Sequence, residues 1–580
     1  MAERIITPDL TMYRALQKAC ATYGDIPAIT FGDRTVTFTQ VAQEVEIMAR
    51  KLQGLGVGAG DQVAIILPNS FELVYSFFAP SALGAVHVPL NPVYRQKEFQ
   101  HILEDSEARV VIAEPTYMGN DIQGILEAIR PDLPNLKHVV LRGKAAPGFL
   151  SYEELAVDPE PLPSDRVSPD DLEALVYTSG TTGTPKAVMH SSRSQLSAIS
   201  TSEERVRETM NNMSLGRVVK MVWHYDMRFL KWGRRQKSYM SPSPMHALLG
   251  YSGLLYALLM GSRLVIIDRF HPAKVLELVE KERLNTLGLA PTQVAALLNS
   301  PELARRDTSS LLSLGMGAAP CPPDLVRRAR KAFGCPVMIG FGATETGGGS
   351  LVTDTFDPEQ MQAETVGRLY PGMKARVVDE DRRELPTGEV GELAVKMGST
   401  MLGYWKAPET TAQALDDEGW YYTGDLATID EQGYTRIVGR KKNMIIRAGQ
   451  NIFPAEIEAH LITMPGIQNV SVVGVPDEMQ GETVWAFIQP KDGATLTAQD
   501  VLAYCRSDLA PYKVPSQVRF VDEFELTPTG KIKKIPLQEM AIKELEQAAG
   551  TPVSASYASA TPPSRGESGV QRPIERESAA

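Results

Sequence analysis

The chain has 580 residues, 43% of them apolar, with a formal net charge of -11 and a pI near 5.5. That length allows two or more domains with large cores, and the acidic balance argues against bulk binding to nucleic acid or to an anionic membrane. Four scattered cysteines, Cys20, Cys321, Cys335 and Cys505, form no close pair, so neither a disulfide framework nor a zinc site is expected.

In chain order, "MAERIITPDL" lacks the basic-then-apolar pattern of a secretory signal, and the last three residues are not Ser-Lys-Leu. A cytoplasmic location is therefore expected, with a peroxisomal one left open. "VAQEVEIMARKLQGLG" has helical spacing and ends at glycine, whereas "QVAIILP", "RVVIAE" and "RLVIID" are short β-branched runs typical of buried parallel strands. Leu73 to Leu90 contains no Lys, Arg, Asp or Glu, but Pro80, Gly84, His87 and Pro89 favour a buried helix followed by a strand over a membrane span. The alternation predicts an α/β fold, doubly wound, with helices on both faces of the sheets. From Gly388 to Tyr434 the texture changes to glycine, aromatics and short alternating runs, which predicts a β-rich subdomain. Residues 1–438 are expected to form the large domain, 439–442 a hinge, and 443–545 a small α+β domain. The polar, proline-bearing stretch 549–580 is expected to be disordered.

Four stretches carry chemistry. "YTSGTTGTPKAVMHS" follows an apolar strand with Thr178, Ser179, Gly180, Thr181, Thr182, Gly183 and Lys186 in one loop. Backbone N–H groups, hydroxyls and one ammonium suit an anionic ligand. It is not a Walker-type P-loop, because Pro185 sits where the second glycine belongs and Ala187 follows the lysine. "MIGFGATETGGGS" places Glu345 where a dinucleotide fingerprint needs its third glycine. "YYTGDLATIDEQGYTRIVGRKKNMI" holds Asp425, Arg440 and Lys442, and "LTPTGKIKK" puts Lys531 in a glycine-flanked turn. Taken alone, a Gly-Asp turn is usually only a turn, and a late lysine only a solvated one.

Together, in this order, these stretches resemble the adenylate-forming superfamily of acyl-CoA synthetases, luciferases and peptide-synthetase adenylation domains, from about Thr11 to Leu537. The resemblance implies a large nucleotide-binding domain and a small mobile one, with ATP, Mg²⁺ and coenzyme A as reaction partners. It implies that residues 178–183 and Lys186 form the phosphate loop, with Gly317, Ala318 and Ala319 of "GMGAAP" walling the nucleotide. Phe341 and Gly342 would lie against adenine, Thr344 near the α-phosphate, and Glu345 on Mg²⁺; a carboxylate beside a polyphosphate needs a cation between them. Asp425 would accept from the ribose hydroxyls, Arg440 would help hold the ribose, Lys442 would be the hinge, and Lys531 the catalytic lysine. A pantetheine tunnel would pass near Ala448 and Gly449. Ala187 and Asn443 depart from the family pattern, where glycine and aspartate are frequent, without removing a functional group.

"SPSPMHALLGYSG" matches the segment that lines the family's acyl tunnel. It places His246 and Leu249, with Met316 from the neighbouring motif, around the substrate and offers no aspartate for an amino-acid ammonium. A medium-chain or aromatic carboxylic acid is expected, passed to the thiol of CoA. Two rivals stand: a stand-alone ligase loading a carrier-protein thiol, and a non-catalytic acyl- or nucleotide-binding relative disabled near residue 215. No nucleic-acid partner and no integral membrane association are expected.

One stretch fits none of this. From Leu215 to Lys237 there are seven Lys/Arg against one acidic residue, with two of the five tryptophans, Trp223 and Trp232. Inserted sequence, from a translated intron or a gene-model error, and a genuine surface loop are equally compatible with these residues.

Overall fold

The computed structural model describes residues 5–144, 146–178, 185–211, 214, 216, 236–448, 450–477, 479–527 and 531–549. Ser179, Gly180, Thr181, Thr182 and Gly183 of the phosphate loop, nearly all of the basic stretch at 215–237, Gly449 and the tail beyond 549 lie outside the described residues.

Among the described residues, the β-branched runs form the interiors of two large sheets. Gln62–Ile66 is buried at every position and therefore central, paired in parallel with Val86–Pro89 on one side and Val110–Ala113 on the other. This eight-stranded sheet ends in the antiparallel strands Leu172–Thr178, Lys186–Ser191 and Gly403–Tyr404. A nine-stranded sheet takes Arg263–Ile266, Ser238–Met240, Thr286–Leu289, Ser313–Met316 and Val337–Ala343 as parallel neighbours, and Gly348–Val352 returns antiparallel beyond them.

Helices cover these sheets through single apolar stripes. Phe38–Gly54 buries Val41, Val45, Met48, Ala49 and Leu52, the 3–4 spacing visible in the sequence. Its start is fixed by a capping box in which the Thr37 hydroxyl accepts from Gln40 N–H and the Gln40 side chain accepts from Thr37 N–H. The uncharged run Leu73–Leu90 resolves into the end of helix Phe71–Phe78, a 3₁₀ turn and strand Val86–Pro89. No helix among the described residues is long and apolar enough to cross a membrane.

The β-rich unit is a four-stranded antiparallel sheet of Lys374–Val378, Gly391–Lys396, Tyr421–Ile429 and Thr435–Arg440. It begins ahead of the expected Gly388, because "KARVV" is an ordinary short strand with no glycine to mark the change. A 3₁₀ turn, Lys441–Asn443, follows directly. Beyond it the long hairpin Ile467–Asp477 and Gly481–Pro490 builds a five-stranded sheet with alternating sides. Val484, Ala486 and Ile488 join one core with Ile457 and Val501, while Trp485 and Phe487 join another with Leu537 of helix Lys534–Ala549.

The basic stretch is flanked by well-defined elements: helix Ser192–Asn211 precedes it, and Lys237 follows, whose carbonyl accepts from Arg263 N–H at 2.8 Å where the ladder of Ser238–Met240 begins. Lys237 therefore belongs to the sheet rather than to an insertion.

Candidate active site

The expected phosphate-loop residues stand between strands Leu172–Thr178 and Lys186–Ser191, and Thr178 lies directly opposite Lys186 across that antiparallel pair. The pair is braced from the side: Trp405 N–H donates to Ala187 O at 3.0 Å and Leu402 N–H to Met189 O at 2.9 Å. Ala187, at a usual glycine position, is simply a buried strand residue.

Phe341 and Gly342 end the strand Val337–Ala343, and Thr344 and Glu345 form the 3₁₀ turn after it. Gly342 is required by contact, since a Cβ there would lie 1.9 Å from Gly348 O. The turn is fastened from three sides. His190 Nε2 lies 2.7 Å from Thr344 O, Met401 N–H donates to Glu345 O at 2.8 Å, and the Tyr404 hydroxyl donates to Glu345 Oε1 at 2.9 Å. A carbonyl only accepts, so Nε2 of His190 carries the proton. Burial pushes His190 down to about 4, which keeps the ring neutral.

Asp425 and Arg440 are paired residues on adjacent strands, and Arg440 Nε donates to Asp425 Oδ1 at 2.7 Å. Burial raises the Asp425 carboxyl above its usual range, with Arg440 and then Lys531 pulling it back. Lys531 follows residues 528–530, which lie outside the described residues. Its backbone is locked by Thr527 N–H donating to Lys531 O at 2.6 Å and Lys531 N–H donating to the Thr527 hydroxyl at 3.0 Å. Lys531 is exposed to solvent. Desolvation and then repulsion from Arg440 lower its pKa, while Asp425 and Glu345 oppose them. Lys442, in the turn Lys441–Asn443, is lowered to about 8, by desolvation first and then by Arg440, with Lys531 adding to it.

Five charged residues predicted from the sequence are linked electrostatically: Lys531 feels Arg440, Asp425 and Glu345, and Lys442 feels Arg440, Asp425 and Lys531. Three cations face two carboxylates, a balance suited to a polyanion with one metal ion. Glu345 fits Mg²⁺ in the way phosphate-bound Mg²⁺ is usually held, by one carboxylate with the remaining ligands from phosphate and water. No cluster of three or more His, Cys, Asp or Glu able to hold a metal occurs among the described residues.

The other predicted residues have the following local settings. Gly317, Ala318 and Ala319 follow the strand Ser313–Met316; a Cβ on Gly317 would lie 2.8 Å from Gly340 O, and Ala318 holds a left-handed φ of 68°. Met316 is 2% exposed and sits between Leu289 and Ile339 in the sheet core, so its packing role is clear. His246 and Leu249 are half-buried where the helix Leu248–Leu259 starts, and burial pushes His246 down to about 3. Ala448 has a left-handed φ of 49° and donates its N–H to Gln480 O at 2.7 Å.

Motif reading missed His190, Tyr404 and Tyr421. Tyr421 is buried and raised well above its usual range, first by desolvation and then by Glu345, which places it in the same cluster. "MLGYW" and "AVMHS" carry no signal for these roles, since the contacts exist only once the sheets meet.

A loop between antiparallel strands, a carboxylate turn and a lysine brought from a second domain define an AMP-forming, nucleotide-binding enzyme class. Models of the AMP-binding enzyme and of its C-terminal domain match residues 16–405 and 456–531. The chain is 33% identical over 538 residues to a methyl-dioxo-octahydroindenyl-propanoyl:CoA ligase from Rhodococcus jostii, covering 90% of this chain and 98% of that one. It is 31% identical over 544 residues to the human mitochondrial medium-chain acyl-CoA ligase ACSF2, covering 88% and 84%. The crystal structure of the anthranilate CoA ligase AuaEII with anthranoyl-AMP superposes with a TM-score of 0.80 at 25% identity, covering 95% and 100%. The chain belongs to the AMP-binding enzyme family, within the adenylate-forming superfamily and on its acyl-CoA synthetase side.

Proposed function

We propose that this chain is an ATP-dependent acid–thiol ligase that activates a medium-chain or aromatic carboxylic acid as acyl-AMP and transfers the acyl group to CoA. The observation that carries this reading is the gathering of Lys531, Arg440 and Lys442 around Asp425, with Glu345 within electrostatic reach of Lys531 and Asp425.

An ionised carboxylate oxygen attacks the α-phosphorus of ATP, the bond to the bridging oxygen breaks, and pyrophosphate leaves. Anion meets anion, so the protein's part is positioning and charge stabilisation. Lys531 reaches the α-phosphate and the incoming carboxylate as an ammonium donor. Loop hydroxyls and N–H groups, with Lys186, receive the outer phosphates, and Thr344 lies beside the α-phosphate. Glu345 would hold Mg²⁺, which would supply neutralising charge beside the phosphates. Asp425 accepts from the ribose hydroxyls, and Arg440, already spending Nε on Asp425, fixes that carboxylate's direction. In the second half-reaction the thiolate of CoA attacks the acyl carbon, a C–S bond forms, and AMP leaves. Lys442, at the junction of the two domains, is the pivot that withdraws Lys531 and brings Ala448 and Gly449 to the pantetheine.

The substrate class rests on the segment Ser241–Gly253 around His246, which contains no Asp or Glu, and on relatives named for a bicyclic propanoyl acid, medium-chain acids and anthranilate. ATP–pyrophosphate exchange over a panel of short, medium-chain, long-chain and aromatic acids, followed by thioester assays with CoA and with a phosphopantetheinylated carrier protein, tests it. Exchange with medium-chain or aromatic acids and turnover with free CoA is expected. Turnover with the carrier alone would make the chain a carrier-loading ligase, and no exchange with any acid would make it a binding protein.

A further inference from the structure

We propose that His190 is a positioning residue, which holds the Thr344–Glu345 turn in register with the phosphate-loop hairpin and so fixes the carboxylate that faces the metal–nucleotide. The proposal rests on the reading of Glu345 as the Mg²⁺ ligand.

The two large sheets each contribute one half of the nucleotide site. Lys186 opens a strand of the eight-stranded sheet, while Thr344 and Glu345 follow a strand of the nine-stranded sheet. Among the described residues, three contacts bridge the two sheets at this turn: Met401 and Tyr404 to Glu345, and His190, which lies on the strand of Lys186 and whose Nε2–H reaches Thr344 O at 2.7 Å. Residues 186, 188 and 190 alternate onto one side of that strand, so the lysine and the imidazole share a side.

The ring itself is oriented. Its Nδ1, an acceptor, lies 3.1 Å from the Ser194 hydroxyl, which accepts from Ser191 N–H at 3.2 Å and shares its single proton between Nδ1 and Ser191 O at 2.9 Å. The side chain is buried, 2% exposed, so its N–H has no water to turn to and the bond to Thr344 O is obligatory. The turn leaves little slack: a Cβ on Gly347 would lie 2.8 Å from Ser399 O and 3.7 Å from His190 Cε1. Met401 and Tyr404, which hold Glu345 itself, hang from the same strand, since Tyr404 pairs with Val188 and Gly403 with Met189. His190 is therefore the member of this clamp that grips the main chain one residue before the carboxylate. Orienting partners of metal-facing groups of this kind change metal affinity without touching the metal.

The test measures Mn²⁺ binding by electron paramagnetic resonance with the full-length protein and ATP, in the absence of acid. His190→Leu removes the donor at similar volume and is expected to weaken Mn²⁺ binding at least about 10-fold. His190→Gln restores an uncharged N–H donor and is expected to recover most of that loss. In exchange kinetics the KM for MgATP should rise in His190→Leu while the KM for the acid stays within about 2-fold. Should the leucine variant fail to fold, Ser194→Ala frees the ring and is expected to shift Mn²⁺ binding in the same direction. Wild-type Mn²⁺ affinity in His190→Leu, or in Ser194→Ala if that is the variant in hand, overturns the proposal, as does a glutamine variant that folds normally yet recovers nothing. Glu345→Gln separates the two levels. If it alone weakens Mn²⁺ binding, the positioning role of His190 is wrong and the reading of Glu345 stands. If it binds Mn²⁺ like the wild type, the reading of Glu345 fails and the proposal with it.

Discussion

Asp425 and Arg440 sit opposite one another on adjacent antiparallel strands, and Arg440 Nε donates to Asp425 Oδ1 at 2.7 Å. Asp425 is 5% exposed, whereas the Arg440 side chain is about half exposed. The pair therefore serves the buried carboxylate more than the arginine, and it leaves the other Asp425 oxygen, 3.4 Å from Arg440 Nη2, the weaker held of the two and better able to accept from a ligand hydroxyl.

Arg440→Met should leave that buried carboxylate without its cation. Because the arginine is solvent-screened, the cost is expected at the low end for a broken pair, about 1–3 kcal/mol, with a raised KM for ATP. Urea unfolding and exchange kinetics check both. A variant as stable as the wild type with unchanged ATP kinetics would mean the pair is ornamental.

Gly342→Ala must push Gly348 O out of the space its Cβ needs, and both residues are backbone-paired. We expect a loss of about 1–3 kcal/mol and a disproportionate fall in adenylation, because the displaced strand end carries Thr344 and Glu345. Gly349→Ala, whose Cβ would meet Tyr370 only at 3.9 Å, should be nearly neutral in thermal unfolding. Equal effects at the two sites would contradict the close-approach explanation.

Stability should fall in mild acid. Burial depresses His190 to about 4 and His246 to about 3 from the usual 6.5, so below pH 6.5 the unfolded chain takes up protons that the folded chain refuses. Each contributes stability that is present above pH 6.5 and is lost as pH falls toward the folded value, at up to about 1.4 kcal/mol per pH unit. Urea midpoints from pH 7 to 4 measure this slope, and His190→Gln should flatten it. A variant with the wild-type slope would show that His190 titrates freely in the folded protein.

Much of this was legible in the sequence because the relevant signals are local. Val63, Ile65 and Ile66 make Gln62–Ile66 an uncharged, largely β-branched run, and it is buried at every position; the helical spacing after Phe38 shows in the sequence in the same way. The expected roles of the charged residues could be named only through motif resemblance, since nothing local distinguishes Lys531 from a surface lysine. His190 and Thr344 are 154 positions apart, and Glu345 and Tyr404 are 59 apart. Their contacts follow from how two sheets pack, which no window of sequence contains. The placing of Met316 in the acyl pocket shows the reverse problem: an apolar residue beside a motif is as well explained by the core between Leu289 and Ile339.

The central claim, that Lys531 is brought from the small domain to drive adenylation, is tested most directly by separating the half-reactions in Lys531→Ala. Acyl-AMP formation is followed by pyrophosphate exchange, and thioester formation by supplying acyl-AMP and CoA. Loss of a preorganised ammonium at the α-phosphate should slow the first step by at least about 100-fold while the second stays within a few-fold of wild type. Acyl-AMP synthesis by Lys531→Ala at near wild-type rate would contradict the account.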